Sequence, residues 1–324
     1  MNTLTITATA NLGASHIPQG VCISSDNAYV YVGNNSGHTV EKIQTSDMTV
    51  TGTAELGALH GPRGVCIDST NTYVYVANYT ASTVEQITTS SMTVTGTATL
   101  GGTMGSRAIC IDSNNSYVYV ANSLDDSVKQ IRISDMTVTG TCSFGPSQNV
   151  YDICIDSNNA YVYVANYVGA NVKQIRISDM TVTGTAALVG KDPFGICIDS
   201  TNTYVYTANN TAESVEQIRI SDMTVTGTAA LEVGDGPFGV CIDSYNAYVY
   251  VTCYTGQRVK QVLISSMTVT GTVDLGASRG PRTPCLDSTN TYVYVSNQTA
   301  NTVDKILVYY VNEGISMIRH GIAA

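Results

Sequence analysis

The chain has 324 residues and a formal charge of −10, with 43% hydrophobic but only 12% charged residues. Its 15 Lys and Arg are spread thinly with no basic run, which excludes a phosphate-tracking nucleic-acid surface. No apolar stretch approaches the ~20 residues that span a membrane, and the opening MNTLTITATANLG lacks the charged and apolar regions of a secretory leader, so the protein is cytoplasmic, or a leader was removed and Met1 added, or it leaves the cell another way.

Residues 4–12, LTITATANL, form a strand-like run that stands alone. The rest of the chain, as far as residue 308, is one unit stated seven times. Cysteines recur at Cys22, Cys66, Cys110, Cys154, Cys197, Cys241 and Cys285, spaced 44, 44, 44, 43, 44 and 44 residues apart. A tyrosine–valine run keeps step from Tyr29, Tyr73, Tyr117, Tyr161, Tyr204, Tyr248 and Tyr292. Units begin near residues 20, 64, 108, 152, 195, 239 and 283, so residues 1–308 form one repeat array and 309–324 fall outside it.

Each unit carries four strand-like runs. GVCID is apolar on both faces, as a strand buried on two sides should be; TYVYVAN sets Tyr on one face and Val on the other. TVEQIRIS alternates apolar and polar residues, and MTVTGTAAL places Thr49, Thr51 and Thr53 of the first unit on one face. Clusters such as DSTN and SD, which bond their own backbone, separate the runs. Val, Thr and Tyr dominate and no helical period occurs. The expected fold is therefore all-β: a seven-bladed β-propeller of four-stranded antiparallel blades. The last unit has only three runs, ending near Val308. Residues 4–12 then supply its fourth strand and close the ring, removing exposed edges.

The recurring YVYVAN, the TVEQI after it and the G-x-C-I-D lead-in resemble the YVTN family of β-propeller repeats over roughly residues 4–308. The resemblance implies this fold and a bacterial or archaeal cell-surface setting. Departures are Cys253 at the Asn that closes the second run and Ser24 at the Asp after the first.

One cysteine per innermost strand reads as a small hydrophobe filling the wedge between blades. No C-x-x-C pair is present, and blades ~10 Å apart are too distant for a disulfide. Cys142 and Cys253 are singletons expected to be free thiols. The aspartates Asp68, Asp112, Asp156, Asp199, Asp243 and Asp287 could ring one mouth for a cation, but their recurrence favours a turn cap. No metal or cofactor is expected.

What all units share serves the blade, so function is sought where they differ: the loops before the first strand and after the second, which share one face. Three residues before each cysteine stand Gln19, Arg63, Arg107, Tyr151, Phe194, Phe238 and Arg282, a basic arc facing an aromatic one. Six before it stand His16, His60, Met104, Gln148, Lys191, Asp235 and Arg279; the second loop adds Tyr79, Tyr167 and Tyr254 among others. These residues suggest a non-catalytic binding or scaffold module that takes a protein, peptide or small anionic ligand on the variable face, with Tyr and Arg as anchors. The same side chains could instead plug the channel.

Two alternatives stay open. A lyase- or lactonase-like enzyme would use His16 or His60 as a base, with Asp152, Asp192, Glu232 and Asp235 on the opposite arc; no G-x-S-x-G, H-E-x-x-H or phosphate loop supports it. A structural subunit of a surface layer, filament or virion would assemble through its loops and the tail YYVNEGISMIRHGIAA, whose apolar residues make self-association a candidate.

Overall fold

The computed structural model describes residues 4–102 and 105–308. These form seven four-stranded sheets arranged in sequence order, and no described residue is helical. Among them there is accordingly no helix long and apolar enough to cross a membrane. In blade one the strands are Pro18–Ile23, Tyr29–Asn34, Thr39–Gln44 and Thr49–Glu55, each antiparallel to the next. Blade seven holds Pro281–Leu286, Tyr292–Asn297 and Thr302–Leu307, and Thr5–Asn11 pairs antiparallel with the last of these. The N-terminal strand thus closes the ring, as the odd run at residues 4–12 predicts. Met104 and the tail 309–324 lie outside the described residues.

There is no single core but seven equivalent ones between blades. Tyr31, Val40 and Ala54 of blade one pack against Val74, Val76 and Ile87 of blade two, while Val30 and Val32 pack against Tyr294 of blade seven. Strand alternation explains this: the tyrosine face of each blade meets the valine face of the next. The repeat cysteine lies opposite that tyrosine, as in Cys66 and Tyr75, and shares its interface with Ile109 and Val118 of the next blade. None of the nine cysteines is in a disulfide, and burial pushes the repeat thiols far up.

The Met and Gly of the repeated MTVTG form a second lock. Met48 turns at φ 58° and Met92 at φ 51°, both in the left-handed region, which strains a residue that carries a Cβ. The turn lets Met92 reach across the interface: a Cβ on Gly52 of the preceding blade would stand 2.8 Å from its Cγ. Ala8 takes the glycine's place in the closing strand and packs with Met48.

A third lock circles the turns between first and second strands. The Asn71 side chain accepts from the Ser25 amide at 2.9 Å and donates to its hydroxyl at 3.0 Å. The same reciprocal pair joins Ser69 to Asn115, Ser113 to Asn159, Ser157 to Asn202, Ser200 to Asn246 and Ser244 to Asn290. Ser288 and Asn27 complete the circle across the seam between blades seven and one.

The aspartates beside this belt are turn caps. Asp68, Asp112, Asp156, Asp199, Asp243 and Asp287 each accept a backbone amide four residues on at 2.7 Å. In blade one Ser24 takes the aspartate's position, and its hydroxyl bonds Asp26 at 2.6 Å. Among the described residues no group of three or more His, Cys, Asp or Glu is placed to hold a metal ion.

Candidate functional site at the channel mouth

Every first strand begins with a β-bulge. The pairing jumps between Pro62 and Gly64, between Ser106 and Ala108, between Val150 and Asp152, and between Pro193 and Gly195, skipping Arg63, Arg107, Tyr151 and Phe194. The jumps Pro18 to Val21, Pro237 to Val240 and Pro281 to Pro284 likewise span Gln19, Phe238 and Arg282. An unpaired bulge residue is free to re-aim its side chain. Here the bulges bring the residues three before each cysteine together at the channel mouth.

The two arcs expected from sequence do not face each other across open space; they interdigitate. Tyr151 is the hub. Its ring meets Phe194 at 4.4 Å, Phe238 at 5.5 Å and Tyr167 at 6.2 Å. The Arg107 guanidinium lies 4.0 Å over Tyr151 and 5.3 Å over Tyr79, which also carries Arg63 at 3.6 Å. Arg282 lies 4.2 Å over Phe238 and 4.6 Å over Tyr254, with Gln298 accepting from its Nε. Cation–π stacking holds these cations without neutralising them.

Arg63, Arg107 and Arg282 take part in no salt bridge among the described residues. Burial first, then the Arg107 and Arg282 charges, lower Arg63 to about 10. The Nε groups of Arg63 and Arg107 are buried without an acceptor. Beneath them the channel holds a cavity of about 120 Å³, lined by these two arginines, Gln19, Tyr151, Asp152, Phe194, Phe238 and the strand backbones below.

His16, His60 and Arg279 are not part of this cluster. Each belongs to an outer ring of pairs between the residue six before the cysteine and the third residue of the third strand. His16 faces Glu41 at 3.5 Å, His60 faces Glu85 at 3.2 Å, Lys191 pairs with Glu216, and Arg279 faces Asp304 at 3.3 Å. In blade six the signs exchange, with Asp235 against Lys260 at 2.7 Å. The carboxylates of Glu41 and Glu85 are raised by burial, against which the histidines pull. The histidines hold buried carboxylates at the rim, away from the cavity lining. Asp152, in contrast, lies in that lining. Blades other than the fourth place Gly20, Gly64, Ala108, Gly195, Gly239 or Thr283 at its position, a substitution visible in the aligned units.

No protein-family model and no curated protein sequence matches the chain. Solved structures do share its fold. Kuenenia stuttgartiensis hydrazine synthase is 16% identical with a TM-score of 0.83, covering 93% of this chain and 97% of that one. Virginiamycin B lyase from Staphylococcus aureus is 12% identical with a TM-score of 0.82, covering 95% and 100%. A streptogramin B lyase is 11% identical with a TM-score of 0.82, covering 95% and 99%. At these identities the likeness is one of fold.

Proposed function

We propose that this chain is a YVTN-type binding propeller whose variable face receives an anionic, carboxylate-bearing protein or peptide partner. The observation that carries the proposal is the gathering of Arg63, Arg107 and Arg282 in one mouth with no carboxylate of the described residues paired to any of them. The outer ring of the same face pairs its charges in blades one, two, five, six and seven. Three partly desolvated guanidiniums crowd one another, and a bound carboxylate relieves both the repulsion and the unmet donors.

A macromolecular partner is favoured by the rim. Leu59, Val189 and Val233 in the loops before the first strands are 70%, 84% and 100% exposed, and Leu124 and Val168 come after second strands on the same face. Apolar side chains around a polar, aromatic centre suit a protein contact.

The test is fluorescence anisotropy with a labelled peptide rich in Glu and Tyr. Replacing Arg63, Arg107 and Arg282 together by Gln should weaken binding by about tenfold or more. Equal affinity of the native chain and the triple variant would overturn the proposal.

A further inference from the structure

The channel wall below the mouth has donors of its own. Asp152 shows where they point: its Oδ1 accepts the Ile153 amide and its Oδ2 the Ile196 amide of the next blade, both at 2.9 Å. The amide one residue before the cysteine therefore faces the axis in blades four and five. Val65, Ile109 and Val240 keep the same register with their second strands as Ile153 does. A Cβ built on Gly20, Gly64 or Gly195, the counterparts of Asp152, would stand 3.0 Å from the Val65, Ile109 or Val240 nitrogen. Those three N–H groups keep the register of the two bonded to Asp152, but the glycine backbones pack closer, with the Arg63, Arg107 and Phe238 carbonyl oxygens within 2.7 Å of the same Cβ positions, and no side-chain carboxylate among the described residues receives them.

We propose that the channel cavity is a small-anion site, in which an oxyanion or carboxylate sits on the inward amides of Val65 and Ile109 beneath Arg63 and Arg107, with Asp152 as its built-in competitor. The inference rests on the reading of the arginine mouth as anion-recognising for Arg63 and Arg107 only. The size fits: about 120 Å³ is several times the ~10–15 Å³ that one water needs on the same measure, room for a small ion and its waters. The buried Nε groups of Arg63 and Arg107 supply donors still lacking acceptors. Backbone donors in a concave array with guanidiniums above are the elements of an anion nest.

Asp152 sets the sign of the pH dependence. Charged, it repels the incoming anion from the same cavity; protonated, it no longer does. The titratable groups around it are Cys154 on its own strand and Cys110 and Cys197 on the strands to either side, all held as neutral thiols by burial. Tyr151 and the Arg63 and Arg107 cations share its cavity. Anion binding therefore strengthens as pH falls, because protonation of Asp152 removes the one carboxylate charge that the described residues place on the lining.

The test is calorimetric titration with sulfate and with acetate in chloride-free buffer, at about pH 5 and about pH 7. The native chain should bind one ion more tightly at the lower pH. Asp152→Asn should bind at neutral pH as the native chain does in acid, with the pH dependence largely gone. The Arg63→Gln/Arg107→Gln pair should lose saturable binding. Arg282→Gln, outside the cavity lining, should keep sulfate binding while weakening the acidic peptide. No saturable binding to Asp152→Asn, or unchanged binding to the Arg63/Arg107 pair variant, overturns the channel site. Unchanged peptide affinity in Arg282→Gln, with sulfate still bound, overturns the mouth as a partner site and leaves the channel site standing.

Discussion

Asp235 and Lys260 meet at 2.7 Å, each only 1% exposed, in the place where blade five sets Lys191 against Glu216. The same contact survives with its charges exchanged, so what these two blades share at this point is a matched pair of charges, not a given residue. A buried ion half-pair is costly, which makes the site sensitive to single changes. Lys260→Met should destabilise the chain by about 3–5 kcal/mol. The exchange Asp235→Lys/Lys260→Glu should recover most of that once Glu232, which also contacts Lys260 at 2.9 Å, is replaced by Val. Urea unfolding midpoints decide it: an exchange variant no better than Lys260→Met would show that the pair is not interchangeable.

The serine–asparagine belt predicts a two-part cost. Asn71 holds φ 58°, a region that Cβ-bearing residues other than Asn and Asp seldom enter, and makes two bonds to Ser25. Asn71→Ala should lose about 2–4 kcal/mol, from two hydrogen bonds and the backbone conformation. Asn71→Gly should lose about 1–2 kcal/mol less, because glycine adopts that conformation freely. Equal losses would mean that the backbone contributes nothing.

Asp152 also bears on stability against pH. Burial raises it from 3.8 to about 6. Between those values the folded chain holds a proton that the unfolded chain has released, so this group's contribution falls as pH rises through that window. Asp135, Asp179 and Asp222 act the other way: their bonds to Arg132, Arg176 and Arg219 lower them to about 2. Their contribution is present above the ordinary value and is lost as pH falls toward 2. Asp152→Asn should flatten the decline between pH 3.8 and about 6 relative to the native chain, because every other group is common to both. Parallel pH profiles of the two proteins would rule it out.

The repeat thiols, pushed up by burial between blades, should resist alkylation in the native state. Six of the seven are only partly covered by area, but their raised thiols should still make iodoacetamide at about pH 8 label them far more slowly in the native chain than in denaturant, where all nine cysteines react promptly. Rapid native labelling at any of the seven would show that its inter-blade wedge is open to solvent.

Most of the fold was legible in the chain. The period set the number of blades, the alternation of TYVYVAN set a tyrosine face and a valine face, and the stray run at residues 4–12 supplied the closure. These are consequences of local pattern, because a strand's faces follow from its two-residue period. The site was legible only as a set of varying positions. That Arg63, Arg107 and Tyr151 converge depends on bulges that leave no compositional mark, and that His16 faces Glu41 depends on a contact between loop and third strand. The serine–asparagine belt was visible only as residues that recur from unit to unit, since its bonds run between units. Sequence determined the ring. Which side chains meet at its centre was decided by the ring's diameter, which sets Tyr151 of blade four against Phe238 of blade six and leaves Asp152 the one carboxylate of the described residues in the cavity lining.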